Sequence, residues 1–247
     1  MTSQQDKSRK ESFIPKEEDI FFVVIDNEYH VYKVLKVEPL PGGQHVFHLL
    51  VYKPVAVKPE PRDIGALEVF AWHVPLASIG DATFLANVPL QPEEFQGYIE
   101  YLRLTDFNKY LEFTGKDPDQ VVHEAREYYE NGIRATDENN FEDAMEWYSK
   151  AIETFPLFYE AIDNKAFVLM DLGRWQEAIA VFEQSLGVNE NNLAAIFSIG
   201  ECQFKLEQFD KALVQFQAAL EIDPYDQLSR EWLEKTRACL HKNLTRT

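Results

Sequence analysis

The sequence contains only two cysteines, Cys202 and Cys239, in 247 residues. So few cysteines exclude a disulfide framework and a cysteine-rich metal site, and we expect both thiols to be small buried groups in helices. Apolar residues never run for the length of about 20 that a membrane-spanning helix needs. The opening segment MTSQQDKSRKESFIPKEED is polar and lacks the apolar core of a secretory signal. These absences together predict a cytoplasmic protein.

Basic residues are also scarce, with 24 Lys and Arg against 42 Asp and Glu and a net charge of −18. Nucleic acids and anionic membranes both require a basic protein surface, so we expect neither as a partner. An acidic surface favours a basic partner and speeds the encounter with it. The same acidity also keeps a protein in solution, which is the less specific interpretation of the charge.

Motifs for catalysis are missing as well. Gly42–Gly43 reads as a turn rather than a phosphate-binding loop, and neither G-x-S-x-G nor H-E-x-x-H occurs. Among the histidines, His45 and His48 should face opposite sides of one strand, while His30 and His73 could approach one of them from other strands. We therefore predict no catalytic residue, no metal and no cofactor. An enzyme or ligand site in the β-rich domain around His30, His45 or His73 remains an alternative.

A pattern that recurs at a constant interval organises the second half of the chain, where Ala144, Ala178 and Ala212 occupy equivalent positions. We call the spacing between successive members of this alanine series the repeat interval. An aromatic residue follows each alanine by four positions, in Tyr148, Phe182 and Phe216. Small residues recur seven positions after and twelve positions before each alanine, in Ala151, Ser185, Ala219, Gly132, Ala166 and Gly200. Small residues let two helices approach closely, and aromatic rings fill the space between them. The pattern therefore predicts stacked helix pairs.

The ends of these pairs are predicted by Pro156 and Pro224, because proline cannot continue a helix. The middle repeat instead has the polar segment 189–192, which can also end a helix. With this repeat interval, the chain resembles tetratricopeptide-repeat proteins over residues 121–244. The resemblance implies three repeats closed by a capping helix over residues 227–243. Its inward positions would be Leu228, Trp232, Leu233, Thr236, Leu240 and Leu244.

Short apolar or alternating runs in the first half predict strands at residues 20–26, 29–37, 45–52, 67–74 and 83–88, followed by helices over 92–113. The fold class is therefore α+β with two domains. A small antiparallel β-sheet or SH3-like barrel precedes an all-α repeat solenoid. We expect a mobile polar tail at 1–18, a β-rich domain ending in helices at 19–114, a linker at 115–120, and the solenoid with its capping helix at 121–247.

The segment IPKEEDIFFVVIDNEYHVYKVL loosely resembles the start of small bacterial immunity-protein barrels over about forty residues. That resemblance implies an alternative function, inhibition of a basic toxin by an acidic immunity-type protein. A regulator or assembly scaffold is a further alternative within the class of binding proteins.

In tetratricopeptide repeats the first helix of each pair lines the concave face. The resemblance therefore implies that the first helices carry the ligand-binding positions. Arg126, Ala194 and Ser198 are among these positions, in addition to the candidate residues that follow. Our candidate partner-binding residues are Tyr129, Ile133, Glu160, Asp163, Asn164, Phe167, Met170, Phe197, Glu201 and Phe204. Aromatic residues and Met anchor partners well, and neighbouring acids suit Lys or Arg. We predict a non-enzymatic protein–protein interaction module that binds an apolar and basic peptide or protein surface.

One subset of the family binds the C-terminal carboxylate of heat-shock chaperones through Lys, Arg and Asn side chains. Only Asn164 matches that set, and the other positions hold Tyr129, Ile133, Ala194 and Ser198. Without cations, a ligand carboxylate would lose its hydration and gain no charge partner, which is costly. We therefore predict that this chaperone carboxylate clamp is absent.

Overall fold

The computed structural model describes residues 13–244, with the side chains of residues 242–244 outside the description. The chain forms two compact units that divide between Thr114 and Gly115. Within the described range, no helix combines the length and the apolar character needed to cross a membrane.

The first unit is built on an antiparallel sheet with the strand order β4-β3-β2-β1-β5. Its strands are β1 (Asp19–Ile25), β2 (Glu28–Pro39), β3 (His45–Tyr52), β4 (Val69–Leu76) and β5 (Thr83–Asn87). The predicted strands are confirmed, with bounds that differ by one or two residues. Strands β4 and β5 are the two edges of the sheet. Of the two predicted forms, the structure therefore has the open sheet and not the closed barrel.

Alternation along the strands gives the sheet two buried faces. One face carries the apolar cluster of Phe21, Val34, Phe47 and Leu49. The other face is covered by a 3-10 helix, Pro92–Phe95, and by helices α1 (Gln96–Thr105) and α2 (Phe107–Thr114). On this second face the ammonium group of Lys33, which is 2% exposed, donates to both carboxylate oxygens of Glu94 and to the Pro89 carbonyl oxygen. The helices are therefore fixed to the sheet by a buried ion pair as well as by apolar contacts.

The polar tail expected at residues 1–18 requires a correction for its last six residues. The Phe13 ring packs against the rings of Phe21 and Phe84 at centroid distances of 6.4 and 5.5 Å. The Lys16 backbone N–H donates to the Asp19 carboxylate at 2.9 Å. Residues 13–18 are therefore held on the sheet by the Phe13 ring and by this hydrogen bond, which the charged composition of the segment did not predict. Residues 1–12 lie outside the described part of the chain.

The second unit consists of consecutive helices. They are α3 (Pro118–Asp137), α4 (Phe141–Thr154), α5 (Tyr159–Asp171), α6 (Trp175–Val188), α7 (Leu193–Lys205), α8 (Phe209–Ile222) and α9 (Gln227–Leu244). Helices α3 and α4, α5 and α6, and α7 and α8 form the three repeats. The predicted helix pairs and the closing helix are confirmed.

Close contact between the helices of a pair explains the small residues of the repeating pattern. A Cβ atom added to Gly132 would lie 2.5 Å from the Tyr148 ring, and one added to Gly200 would lie 2.8 Å from the Phe216 ring. Tyr148 and Phe216 are themselves almost fully buried. In the first and third repeats the aromatic ring of the second helix thus lies directly on the glycine of the first helix, at a distance that leaves no room for a Cβ atom. The second repeat has Ala166 at this position.

The second helices end at the same position in every repeat, with or without proline. Their C-cap residues are Phe155, Asn189 and Asp223, so the segment 189–192 ends α6 in the repeat that lacks a proline. The linker expected at 115–120 is shorter than that, because helix α3 already begins at Pro118. Asp117 caps this helix by accepting the Gln120 N–H, and proline is favourable in the first turn.

The last helix, α9, takes the place of the first helix of a further repeat. Its start at Gln227 follows the start of α7 by one repeat interval, and the start of α7 follows that of α5 by the same spacing. Trp232, Leu233 and Thr236 pack inward as expected, with Thr236 fully buried. Leu228 does not, because it is 49% exposed. The Leu244 side chain lies outside the described residues.

Candidate functional site

The first helices of the second and third repeats and the start of α9 enclose an apolar groove of about 500 Å³. We call it the Phe167–Phe197 groove. Its lining residues come from α5, α7 and the start of α9, and they are Phe167, Leu193, Ala194, Phe197, Ser198, Glu201, Asp226 and Leu228. Phe167 is 37% exposed while its ring edge packs against Phe182. Phe197 is held against Phe216 and Trp232. Both phenylalanine rings are thus fixed from behind and open to the groove.

Two carboxylates border this apolar surface. Glu201 lies on α7, two helical turns after Ala194, and its negative charge adds to the burial that raises the pKa of the neighbouring Cys202 thiol to about 12. Asp226 caps α9, since one carboxylate oxygen accepts the Ser229 N–H at 2.8 Å. The groove therefore combines aromatic and aliphatic walls with negative charge at its border.

Asp163 is not part of that border, which corrects its assignment as an acid available to a ligand. It is only 7% exposed, and its Oδ2 accepts a hydrogen bond from Asn192 at 2.7 Å. Asn192 also donates to Ser185 and caps α7 by accepting the Ala195 N–H. Burial raises the pKa of Asp163 above its usual range, against the lowering effect of Ser185 and Asn192. Asp163 joins the second repeat to the third rather than facing a ligand.

Asn164, the single match to the chaperone clamp, is engaged inside the fold. Its side-chain amide donates to the Tyr129 hydroxyl at 3.0 Å. The Tyr129 ring packs against Phe158 and Tyr148, and Ile133 packs against the apolar cluster that contains Tyr148. These three candidate residues therefore lie together, but as a packed set between the first and second repeats.

Met170 and Phe204 are also placed differently from the expectation. Met170 packs against the apolar cluster formed by α5, α6 and α7. The Phe204 ring lies 5.2 Å from the rings of Phe209 and Trp232, with the Lys235 ammonium 4.8 Å from its centroid. Both residues, which are one repeat interval apart, pack against neighbouring helices, and the helical pattern of a single segment does not reveal such contacts.

A second, smaller pocket of about 280 Å³ lies between α3 and the start of α5. We call it the Arg126 pocket. Its apolar walls include Val122, Leu157 and Phe158, and its charged residues are Arg126 and Glu160. Glu160 is the remaining candidate residue of the second repeat, so the structure places it here and not beside Phe167. The repeat interval relates Arg126, Glu160 and Ala194, which occupy one equivalent position in the three repeats.

Leu193, Asp226 and Leu228 line the groove although the sequence pattern did not select them. Leu228 follows Ala194 by one repeat interval, and Asp226 follows Asn192 by the same spacing. Extending the repeat by one further helix would therefore have found both of them. They were missed because the last helix was treated only as a cover for the third repeat.

In the first unit the structure brings two of the strand histidines together. His48 Nδ1 lies 2.8 Å from His73 Nε2, and Tyr98 and Tyr101 of α1 pack on the two rings. His30 and His45 are elsewhere on the sheet, and the pair involves His48, which was not among the residues proposed for a site. Among residues 13–244, no group of three or more His, Cys, Asp and Glu side chains is placed to hold a metal ion.

Comparison with known proteins agrees with the geometry of the helical unit. The tetratricopeptide-repeat family model matches residues 169–229. An uncharacterised protein of Methanocaldococcus jannaschii is 36% identical over 73 residues, which is 30% of this chain and 85% of that protein. DnaJ homolog subfamily C member 7 of Homo sapiens is 30% identical over 107 residues, covering 43% of this chain and 22% of that protein. The chain thus spans about a fifth of the human relative.

The chain also matches solved structures. The first TPR of Spaghetti (RPAP3) bound to the HSP90 peptide SRMEEVD is 19% identical, with a TM-score of 0.47, over 48% of this chain and 94% of that chain. The class of protein is then defined by its stacked helix pairs and the groove between their first helices. The chain belongs to the tetratricopeptide-repeat family.

Proposed function

We propose that this protein is a protein-binding module whose helical unit takes up an apolar and basic segment of a partner in the Phe167–Phe197 groove. The observation that carries the proposal is that two supported aromatic rings, the exposed Phe167 and the half-buried Phe197, line one groove with two carboxylates at its border. Aromatic and aliphatic pockets of this kind supply most of the binding energy in protein interfaces. The carboxylates favour Lys or Arg next to the anchoring residue.

The same geometry argues against an acidic C-terminal peptide as the ligand. Ala194 and Ser198, which line the groove, replace the two cations that a carboxylate clamp has in its third repeat. Asn164 is already bonded to Tyr129. A ligand carboxylate placed here would meet the negative charge of Glu201 and Asp226, so it would be repelled rather than paired.

Selection from a phage-displayed library of random peptides tests the proposal. We expect the wild-type protein to enrich peptides with an aromatic or aliphatic residue next to Lys or Arg. The double variant Phe167→Ala/Phe197→Ala should lose the selected peptides, because both anchoring walls are removed. The control Val214→Ala/Ile222→Ala changes two exposed apolar residues of α8 and should bind normally. The synthetic peptide SRMEEVD serves as the acidic probe and should not bind.

A second variant keeps the test valid if the alanine substitutions weaken folding. Glu201→Gln/Asp226→Asn removes both charges while Asn remains a good helix cap. We expect it to lower the affinity for the selected basic peptides and to reduce the dependence of that affinity on salt. No enrichment by the wild type, or binding that both groove variants retain in full, would refute the proposal.

A further inference from the structure

The two pockets lined by the first helices differ in charge, and equivalent repeat positions contribute to both. Arg126, Glu160 and Ala194 share one repeat position. Arg126 and Glu160 line the first pocket, while Ala194 lines the Phe167–Phe197 groove. Arg126 thus places a basic side chain in the first repeat, whereas Ala194 places only a methyl group at the equivalent position of the third repeat. The carboxylates Glu201 and Asp226 stand at that far end.

From this arrangement we infer that the ligand is charge-polarised and binds in a single orientation. Its apolar anchor and a Lys or Arg occupy the Phe167–Phe197 groove, while an Asp or Glu further along the same segment pairs with Arg126. The inference rests on the proposed function and adds to it the acidic residue, the second pocket and the direction of the ligand.

The spacing of the helices allows one segment to reach both pockets. Helix α5 contributes Glu160 to the Arg126 pocket and Phe167 to the groove, and these residues are seven positions apart, or about 10 Å along a helix. Helix α5 lines the Arg126 pocket together with α3 and the groove together with α7, so Arg126 and Glu201 are two helix spacings apart, on the order of 20 Å. An extended segment of about six residues covers that distance.

Charge explains why the reverse orientation is excluded. A reversed ligand would place its base against Arg126 and its acid against Glu201 and Asp226. Both contacts would then be repulsive instead of attractive. Glu160 lies in the Arg126 pocket and reduces the local positive charge, but its side chain also interacts with Tyr159. The two carboxylates at the groove end therefore contribute most to the preference for one ligand orientation. Arg126 favours an acidic residue at the other end of the ligand.

The closing experiment uses the full chain and the peptides enriched by the library selection. We expect the enriched sequences to carry Asp or Glu on one side of the apolar anchor and Lys or Arg on the other. Arg126→Glu should weaken binding of such a peptide by about three- to tenfold, as expected for reversal of one exposed charge pair. A peptide in which the acid is replaced by Lys should bind Arg126→Glu better than it binds the wild type.

Arg134→Glu is the matched control, because Arg134 is an exposed residue of the same helix outside both pockets. It should leave both peptides unaffected. Enriched peptides with a base but no acid, bound equally by wild type and Arg126→Glu, would overturn this inference while the proposed function stands. Absence of enrichment, or enrichment insensitive to the Phe167→Ala/Phe197→Ala change, would instead remove the proposed function itself.

Discussion

His48 Nδ1 and His73 Nε2 are separated by 2.8 Å, in adjacent strands beneath helix α1. One imidazole must donate and the other accept, so at least one ring nitrogen in the contact is unprotonated. On the other side of His48, its Nε2 atom lies 3.8 Å from a carboxylate oxygen of Glu38. That carboxylate accepts hydrogen bonds from the Tyr98 hydroxyl and the Lys109 ammonium group. The two stacked rings therefore carry at most one positive charge between them, and they lie between the sheet and the helices.

The histidine pair makes the first unit sensitive to acid. Burial lowers the pKa of both imidazoles, and for His73 burial together with the His48 charge brings the pKa to about 4. The Glu38 carboxylate favours protonated His48, and Lys109 opposes it. Burial alone would raise the pKa of Glu38, but the Tyr98 and Lys109 hydrogen bonds hold it below its usual range. Glu38 thus remains ionised while the imidazoles are neutral.

Because the folded pKa values lie below the ordinary value of 6.5, the unfolded chain binds protons first as the pH falls. We expect full stability of the first unit above about pH 6.5 and a progressive loss between about pH 6.5 and 4. Near-ultraviolet circular dichroism of thermal unfolding at several pH values measures this loss. His73→Gln should flatten the pH dependence, whereas His45→Gln, at an exposed position of β3, should not.

Substitution of either glycine that lies against an aromatic ring, Gly132 or Gly200, should destabilise the helical unit. Gly132→Ala and Gly200→Ala should each lower the free energy of unfolding by about 1–3 kcal/mol, since the new methyl group collides with Tyr148 or Phe216. Gly187→Ala is the matched control, because a Cβ atom there meets nothing within 4 Å. It should raise stability by about 0.5–1 kcal/mol through its better helix propensity. Urea unfolding followed by far-ultraviolet circular dichroism measures these changes. Equal effects of all three substitutions would contradict the packing argument.

Asn192 should contribute more to the free energy of unfolding than a helix cap that has no further partner. Its removal in Asn192→Ala leaves the α7 N-terminus uncapped and the Asp163 carboxylate buried without that donor, so we expect a loss of about 2–4 kcal/mol in unfolding free energy. Asn140→Ala removes an exposed cap of α4 and should cost only about 1 kcal/mol.

A double-mutant cycle separates the contributions of the cap and of the buried charge. In an Asp163→Asn background, Asn192→Ala should cost less than in the wild type, because no buried charge is then left without its donor. Strict additivity of the two substitutions, measured by urea unfolding, would contradict the coupling of Asp163 to Asn192.

The ion pair between Lys33 and Glu94 should contribute far more to stability than the exposed pair between Lys53 and Glu68. Lys33→Met leaves a carboxylate that is 16% exposed without its partner, and we expect a loss of about 3–5 kcal/mol. Lys53→Met affects two exposed side chains and should change stability by less than about 1 kcal/mol. Adding Glu94→Gln to Lys33→Met should restore part of the loss. If Lys33→Met and Lys53→Met had equal effects, the buried pair would not anchor the helices.

The local pattern of the sequence was sufficient for the strands and helices and for their order, because strand alternation and the repeat interval can both be read along the chain without knowledge of distant contacts. It did not decide between an open sheet and a closed barrel. It was insufficient for contacts between elements that are distant in the chain. The pairing of His48 with His73 depends on the register of β3 against β4, which no local pattern determines. Similarly, the sequence pattern predicts that Asp163 is accessible, because only the fold shows that α7 places Asn192 beside it. Of the candidate residues, Phe167, Phe197 and Glu201 line one groove, and their role in binding stays a prediction.

Helix α9 differs from the first helices of the repeats in the surface that it presents. Glu234 follows Gly200 by one repeat interval and so occupies the position where Gly132 and Gly200 admit an aromatic ring. Its exposed carboxylate pairs with Arg237 at 2.7 Å. A helix from another copy of the chain could not approach this surface as α8 approaches α7, because a charged side chain stands where the close contact requires a glycine. Glu234 thus gives α9 a charged surface at the position where α3 and α7 have a glycine that an aromatic ring covers.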